Sequence, residues 1–148
     1  MNTQSLRLEQ IERAVAQVVV PVRPASGWLH VIRSALGITT RQLAAQLGMG
    51  QSSLVALEKS EAEDRITLQS LRKVADALDC DLHYALIPRT PLIQRIENRA
   101  EQVANERLSR VLHSMRLEDQ APTNQVDERE LGQLKRKLID GNWRRLWS

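Results

Sequence analysis

Gln51, Ser52 and Val55 are side chains suited to reading the edge of another molecule. A glutamine can bond adenine through two hydrogen bonds, a serine can bond either kind of base edge, and a valine can touch a thymine methyl. All three follow the tight segment Gly48-Met49-Gly50. Thr40 and Arg41 open the stretch before it, where the free backbone N–H groups of a helix start favour a phosphate. Lys59 is a further phosphate candidate, with a plain surface lysine as the equal alternative. Catalytic chemistry is poorly served. His30, His83 and His113 are far apart, and with the single cysteine Cys80 they make no metal-ligand spacing. No serine or cysteine has a placed base, and no glycine-rich phosphate loop is present. The expectation is a protein that is no enzyme and carries no metal or cofactor.

These side chains need elements to hold them. Thr39 caps a helix that buries Leu43, Ala44 and Leu47. Gly48 suits the left-handed turn that follows. A second helix runs from Gln51 to about Lys59, with Leu54 and Leu57 inward. Two short helices joined by a three-residue turn let the start of the second one project, and a major groove accepts one α-helix. Before the pair, a helix from Gly27 to about Leu36 starts at a cap, Ser26. It turns Leu29, Ile32 and Leu36 inward and stops at Gly37. After the pair, residues 60–66 read as a polar loop. Thr67 then caps a helix burying Leu68, Leu71, Val74, Ala75 and Leu78.

The period changes at 81–87, where Leu82, Tyr84 and Leu86 alternate as in a strand. A lone strand cannot satisfy its backbone hydrogen bonds, and the chain offers no obvious second one. The expected partner is the same strand of a second copy, giving a symmetric homodimer. Outside this middle segment, residues 5–17 read as a helix broken by Pro21 and Pro24. A helix from Pro91 to about Glu118 would span roughly 40 Å. Pro122 lies in the next loop, and a helix from about Asp127 to Ile139 carries Leu131, Leu134 and Leu138 on one face. The tail Trp143-Arg144-Arg145-Leu146-Trp147 is too apolar for a merely solvated end. The chain therefore divides into residues 1–26, 27–88 and 89–148.

Composition narrows the function. Aromatics are 3% of the 148 residues, with no Phe, so few stacking platforms exist for single-stranded nucleic acid. The net charge is +3, but residues 27–88 carry −1 and residues 89–148 carry +3. Charge alone does not point to DNA. The lone cysteine, the lack of a signal-peptide pattern and the shortness of Val18-Val19-Val20-Pro21-Val22 lead to an expectation of a cytoplasmic protein with no membrane span.

The segment from Trp28 to Leu78 resembles the Cro and C1 repressor family of helix-turn-helix proteins. The likeness lies in Arg33 with Leu36-Gly37, Gln42-Leu43-Ala44, Leu47-Gly48, Ser52 to Leu54, Leu57-Glu58 and Ala77-Leu78. It implies a mainly α fold with a lambda-repressor-like domain between flanking helices; the C-terminal dimer-forming strand at 81–87 would replace the family's fifth helix, which resembles antitoxin-like members whose dimers share a β-sheet. It also implies that Gln51, Ser52 and Val55 contact bases, and that Thr40, Arg41 and Lys59 lie near phosphates. Arg33 and Glu58 would form a structural ion pair. Lys59-Ser60 replaces the family's Asn-Gly, and Asp79 stands where a glycine is usual.

The whole chain is also similar to the mobile mystery protein A family. The shared segments include Arg23-Pro24, Gly27-Trp28, Leu57 to Ala62, Ile66-Thr67-Leu68, Tyr84 to Arg89, Met115 to Gln120 and Leu146-Trp147. That similarity implies a Fic-domain partner, and hence a toxin–antitoxin pair. Ser114 and Glu118 have the spacing of a helix that inhibits such partners, although Asp119 follows where Gly or Asn is expected. A solvated helix end is the competing account of these two residues.

Three functions remain open on these grounds. One is a dimeric regulator that binds double-stranded DNA and represses its own operon. Another is an interaction module that inhibits a Fic-domain partner with little DNA binding of its own. The third is an architectural protein whose helix-turn-helix has lost DNA, in keeping with its slightly acidic middle segment.

Overall fold

A computed structural model of the chain describes residues 2–118 and 127–148. Asp119 and Pro122 lie outside the described residues. Seven α-helices appear among those described: α1 (Thr3–Ala16), α2 (Trp28–Ala35), α3 (Thr40–Gln46), α4 (Gln51–Ala62), α5 (Leu68–Ala77), α6 (Leu92–Leu117) and α7 (Glu128–Asp140). A short 3-10 turn, Trp143–Leu146, closes the chain. The helices form two compact units: Val19–Ala85, and Met1–Val18 with Leu86–Ser148.

In the unit Val19–Ala85, four short helices surround a core of Leu29, Leu43, Ala44, Leu54, Val74 and Leu78. No aromatic side chain belongs to that core, so it is filled by aliphatic residues with Met49 and Cys80 at its edge. Each of α2 to α5 ends in the same way. The amide two residues beyond the helix cap turns back to a carbonyl five residues earlier: Ile38 to Arg33, Met49 to Ala44, Arg65 to Ser60 and Cys80 to Ala75. This closure needs a left-handed residue just before the donor. Gly37 and Gly48 fill the first two places, and Asp64 (φ 59°) and Asp79 (φ 57°) the others. Aspartate tolerates that conformation better than most residues, so Asp79 keeps the turn that a glycine would make.

Several expectations are corrected. Residues 81–87 form no strand, and no strand exists among the described residues. Alternation makes a strand only when another backbone takes up its N–H and C=O groups, and this segment finds no such partner among the described residues. Tyr84 and Leu86 stand 67% and 89% exposed. Helix α4 runs three residues past Lys59, because Glu61 is buried rather than part of a polar loop. Leu36 and Leu68 are exposed rather than inward. Ser26 is not the cap of α2; Gly27 holds that position and has no side chain to cap with.

In the other unit, α6 packs along α7 and against α1. Ile96, Ala100, Trp143 and Leu146 form its core, with Leu8, Ile93, Leu138 and Ile139 packed around them. Helix α6 starts at Pro91, which offers no capping side chain. Glu12 of α1 does the capping instead, its Oε1 accepting from the amides of Leu92 at 2.5 Å and Ile93 at 3.3 Å. A carboxylate at a helix start is favoured by both the unpaired amides and the helix dipole.

The apolar tail is folded in. The Trp143 indole N–H donates to Ile139 O at 2.7 Å, and Arg99 Nε donates to Leu146 O at 2.6 Å. The Trp147 ring lies beneath the guanidinium groups of Arg95 and Arg99, 5.5 and 5.9 Å from its centroid. Leu146 is fully buried, so Leu146→Ala should destabilise this unit by about 2–5 kcal/mol. Thermal unfolding followed by circular dichroism checks this, and an unchanged midpoint would show that the tail does not hold the unit together.

Candidate nucleic-acid interface

Helix α3 is set by a reciprocal cap. Thr39 Oγ1 accepts from the Gln42 amide at 3.2 Å, and Gln42 Oε1 accepts from the Thr39 amide at 2.9 Å. Two donors that a helix start would leave unpaired are thereby satisfied. Gly48 (φ 66°) then turns the chain into α4. Leu43 and Ala44 of α3, and Leu54 of α4, go into the core.

The starts of the two helices are brought together. Gln51 Nε2, on the first residue of α4, donates to Thr40 Oγ1, on the first residue of α3, at 2.8 Å. One amide hydrogen is used in that bond. The other Nε2 hydrogen and Oε1 remain, which is the pair an adenine edge requires. The Thr40 hydroxyl keeps its own proton to offer a phosphate oxygen. Arg41 is exposed beside it, with no ion-pair partner among the described residues. Ser52 and Val55 are exposed, and with Lys59 they follow at i, i+3 and i+7, a single outward stripe of α4. The Lys59 ammonium lies 4.0 Å from Glu63, whose carboxylate is already hydrogen-bonded by Arg65. That hydrogen bond holds the Glu63 carboxyl below its ordinary value, and Lys59 adds a smaller pull. Lys59 is thus only loosely held at the far end of the stripe.

The opposite face of α4 is unusual. Leu54, Glu58 and Glu61 are all buried there. Arg33 of α2 meets Glu58 side-on, Nε to Oε1 at 2.5 Å and Nη2 to Oε2 at 3.1 Å. The remaining nitrogen, Nη1, donates at 2.9 Å to Ile38 O, in the connection between α2 and α3. One guanidinium thereby ties α4, α2 and the entry to α3. Its hydrogen bond to Glu58 raises the Arg33 pKa above the ordinary value, against the opposing effect of burial. Arg33 accordingly stays charged wherever the protein is folded.

Glu61, Gly27 and Arg23 brace this arrangement, a role that the sequence reading assigned to none of them. Glu61 accepts from the amides of Trp28 and Leu29, both at 2.8 Å, and so caps α2 from 33 and 32 residues away. Gly27 has φ +85°, and a Cβ there would run into the Glu61 carboxylate. Arg23 Nη1 and Nη2 donate to the carbonyls of Glu61 and Ala62 at 2.9 and 3.1 Å, and Arg23 also pairs with Asp64. These contacts close both ends of the α2–α4 contact. Hydrophobic periodicity does not reveal that role, because it discards polar residues at inward positions.

Ser114 and Glu118 lie elsewhere. Both are exposed at the end of α6, in the other unit, where the Glu118 amide donates to Ser114 O at 3.2 Å. Among the described residues, no three His, Cys, Asp or Glu side chains are grouped to hold a metal, and no helix is long and apolar enough to cross a membrane.

A family model for helix-turn-helix domains, of the Cro and C1 type, matches residues 29–84. The match spans α2 to α5 and the start of the segment after them. Residues 29–84 are therefore a helix-turn-helix domain, of the kind that marks a DNA-binding regulator. No curated protein matches the chain, and no solved structure does.

The Arg33–Glu58 pair is almost water-free, with side chains only 10% and 8% exposed. Removing either partner strands the other charge, so Arg33→Ala and Glu58→Ala should each cost about 3–5 kcal/mol. The double replacement should cost clearly less than the sum of the two. Chemical denaturation of all four proteins tests this, and additive losses would show that the two side chains are energetically independent.

Proposed function

We propose that the protein is a sequence-specific double-stranded DNA-binding regulator, cytoplasmic, non-enzymatic, acting as a homodimer and repressing transcription. The observation that carries this reading is the Gln51–Thr40 contact on a matched helix-turn-helix domain. It sets the Gln51 amide beside the Thr40 hydroxyl at the shared start of α3 and α4, an arrangement that would suit the one to a base edge and the other to a phosphate. In this mechanism α4 enters the major groove. Gln51 and Ser52 bond base edges, and Val55 packs on a thymine methyl. Thr40, Arg41 and Lys59 fix the approach through phosphates, which position without reading sequence.

Dimerisation draws support from exposed apolar side chains at Tyr84, Leu86 and Ile87, a segment that water does not favour leaving bare. A two-fold dimer would present its reading helices about 34 Å apart, one duplex turn. We further propose an antitoxin role beside a Fic-domain partner, which the resemblance read from the sequence to the mobile mystery protein A family would imply. In that role Glu118 would offer a carboxylate in place of a phosphate to the partner's arginine.

Selection of duplexes from a random pool by the full-length protein tests the DNA reading. A two-fold symmetric motif should emerge, bound by two copies of the chain. Gln51→Ala should lose about 1–3 kcal/mol of preference for that motif. Arg41→Ala should weaken all duplexes alike. Failure to enrich any motif would remove sequence-specific regulation, and an unchanged preference in folded Gln51→Ala would remove this placement of the reading helix.

A further inference from the structure

The helix-turn-helix unit has little charge to spend on DNA. Residues 19–85 hold seven basic and seven acidic side chains. Three of the seven cations are engaged inside the unit: Arg33 with Glu58, Arg23 with Asp64 and Arg65 with Glu63. Arg41, Arg72, Lys73 and the loosely held Lys59 are left. Affinity for a duplex comes largely from phosphates neutralised by cations, so this unit alone is a weak electrostatic binder.

The chain's positive excess lies elsewhere. Residues 135–145 contain five cations and a single acid, Asp140. Lys135 is taken by Glu101 at 3.0 Å. Arg136, Lys137, Arg144 and Arg145 are all exposed, and their side chains have no ion-pair or hydrogen-bond partner among the described residues. Their placement follows from packing. Leu131, Leu134 and Leu138 are the partly buried face of α7, which leaves Arg136 and Lys137 on the outer face. Trp143 and Leu146 are buried, which turns the intervening Arg144 and Arg145 outward. The segment is not a loose charged tail. The Trp143 indole, the Arg99 contact to Leu146 and the stacking of Trp147 pin it to its unit. Cations on a pinned surface lose less side-chain and backbone freedom on meeting a phosphate row than cations on a free end.

We propose that Arg136, Lys137, Arg144 and Arg145 form a second DNA contact, a sequence-blind surface for the phosphate backbone of duplex DNA. It provides the electrostatic affinity that the neutral helix-turn-helix unit lacks, while α4 provides the preference. The proposal rests on the DNA-binding reading above. Because both contacts sit on one chain, the second engagement is intramolecular once the first has formed.

The test uses the full-length protein and the quadruple variant R136Q/K137Q/R144Q/R145Q, with circular dichroism confirming the fold. Binding to the selected duplex and to a scrambled duplex is measured from low to moderate salt. Each lost phosphate contact lowers the slope of log K against log salt by about 0.9. The variant's slope should therefore fall by about 2 to 4 for both duplexes, with the ratio between them unchanged. Asp140→Asn, which removes no contact and takes a negative charge away from the surface, should tighten binding to both duplexes alike at low salt, in a protein whose folding is not at risk. A slope that is the same in wild type and folded variant overturns the proposal and leaves the DNA reading intact. So does a variant that keeps its duplex slope but loses binding to phosphatidylserine vesicles, because the surface would then serve a membrane. Wild-type protein that binds neither duplex overturns both.

Discussion

The helix-turn-helix unit depends on two buried carboxylates on the inner face of α4. Glu58 and Glu61 lie three residues apart on α4, only 7% and 3% exposed. A buried carboxylate is costly unless it is fully bonded, and both of these are. Glu58 takes the fork of Arg33, and Glu61 takes two amides at the start of α2. The geometry is demanding, since a guanidinium fork and a pair of helix-start amides each accept a carboxylate from one direction. The roll and tilt of α4 on α2 are thereby fixed, and with them the outward stripe of Ser52, Val55 and Lys59. An aliphatic face would bury α4 as well but would tolerate sliding. Arg23 adds the last constraint by closing the carbonyl end of the helix.

The same solution appears in the second unit. Helices α2 and α6 begin at Gly27 and Pro91, neither of which has an acceptor side chain. Each receives a distant carboxylate, Glu61 and Glu12 respectively. Helices α3, α5 and α7, by contrast, are capped by their own Thr39, Thr67 and Asp127. Locally capped helices can form early and cheaply. Remotely capped ones join segments distant in sequence, so they bind each unit into one cooperative body at the cost of closing long loops.

That contrast explains what the sequence made legible. Thr39, Gly48 and the apolar period of Leu43, Leu47 and Leu54 are local signals, and they mark α3, the turn and the start of α4 correctly. The placement of Arg41, Gln51, Ser52 and Val55 at exposed positions, and of Thr40 at a half-buried one, follows from those same signals. The end of α4 was illegible, because Ser60-Glu61-Ala62 looks like a polar loop until the α2 amides are there to receive Glu61. Ser26 looked like a cap for the same reason, since the real acceptor lies beyond any local window. Alternation at Leu82, Tyr84 and Leu86 suggested a strand, yet a strand is a property of two backbones and a sequence shows only one. The burial of Trp143 and Leu146 was foreshadowed by their apolar character, whereas the Arg95 and Arg99 contacts around Trp147 join residues about fifty positions apart.

The central claim is that the exposed start of α3 and α4 is the surface that meets DNA. Amide chemical shifts of the full-length protein, followed as its selected duplex is added, examine that claim at every residue at once. The account predicts the largest changes at residues 39–41 and 50–56, including the side-chain amide of Gln51, with smaller effects in the buried core. Changes confined to residues outside α3 and α4, with Gln51 and Arg41 undisturbed at saturation, would contradict it.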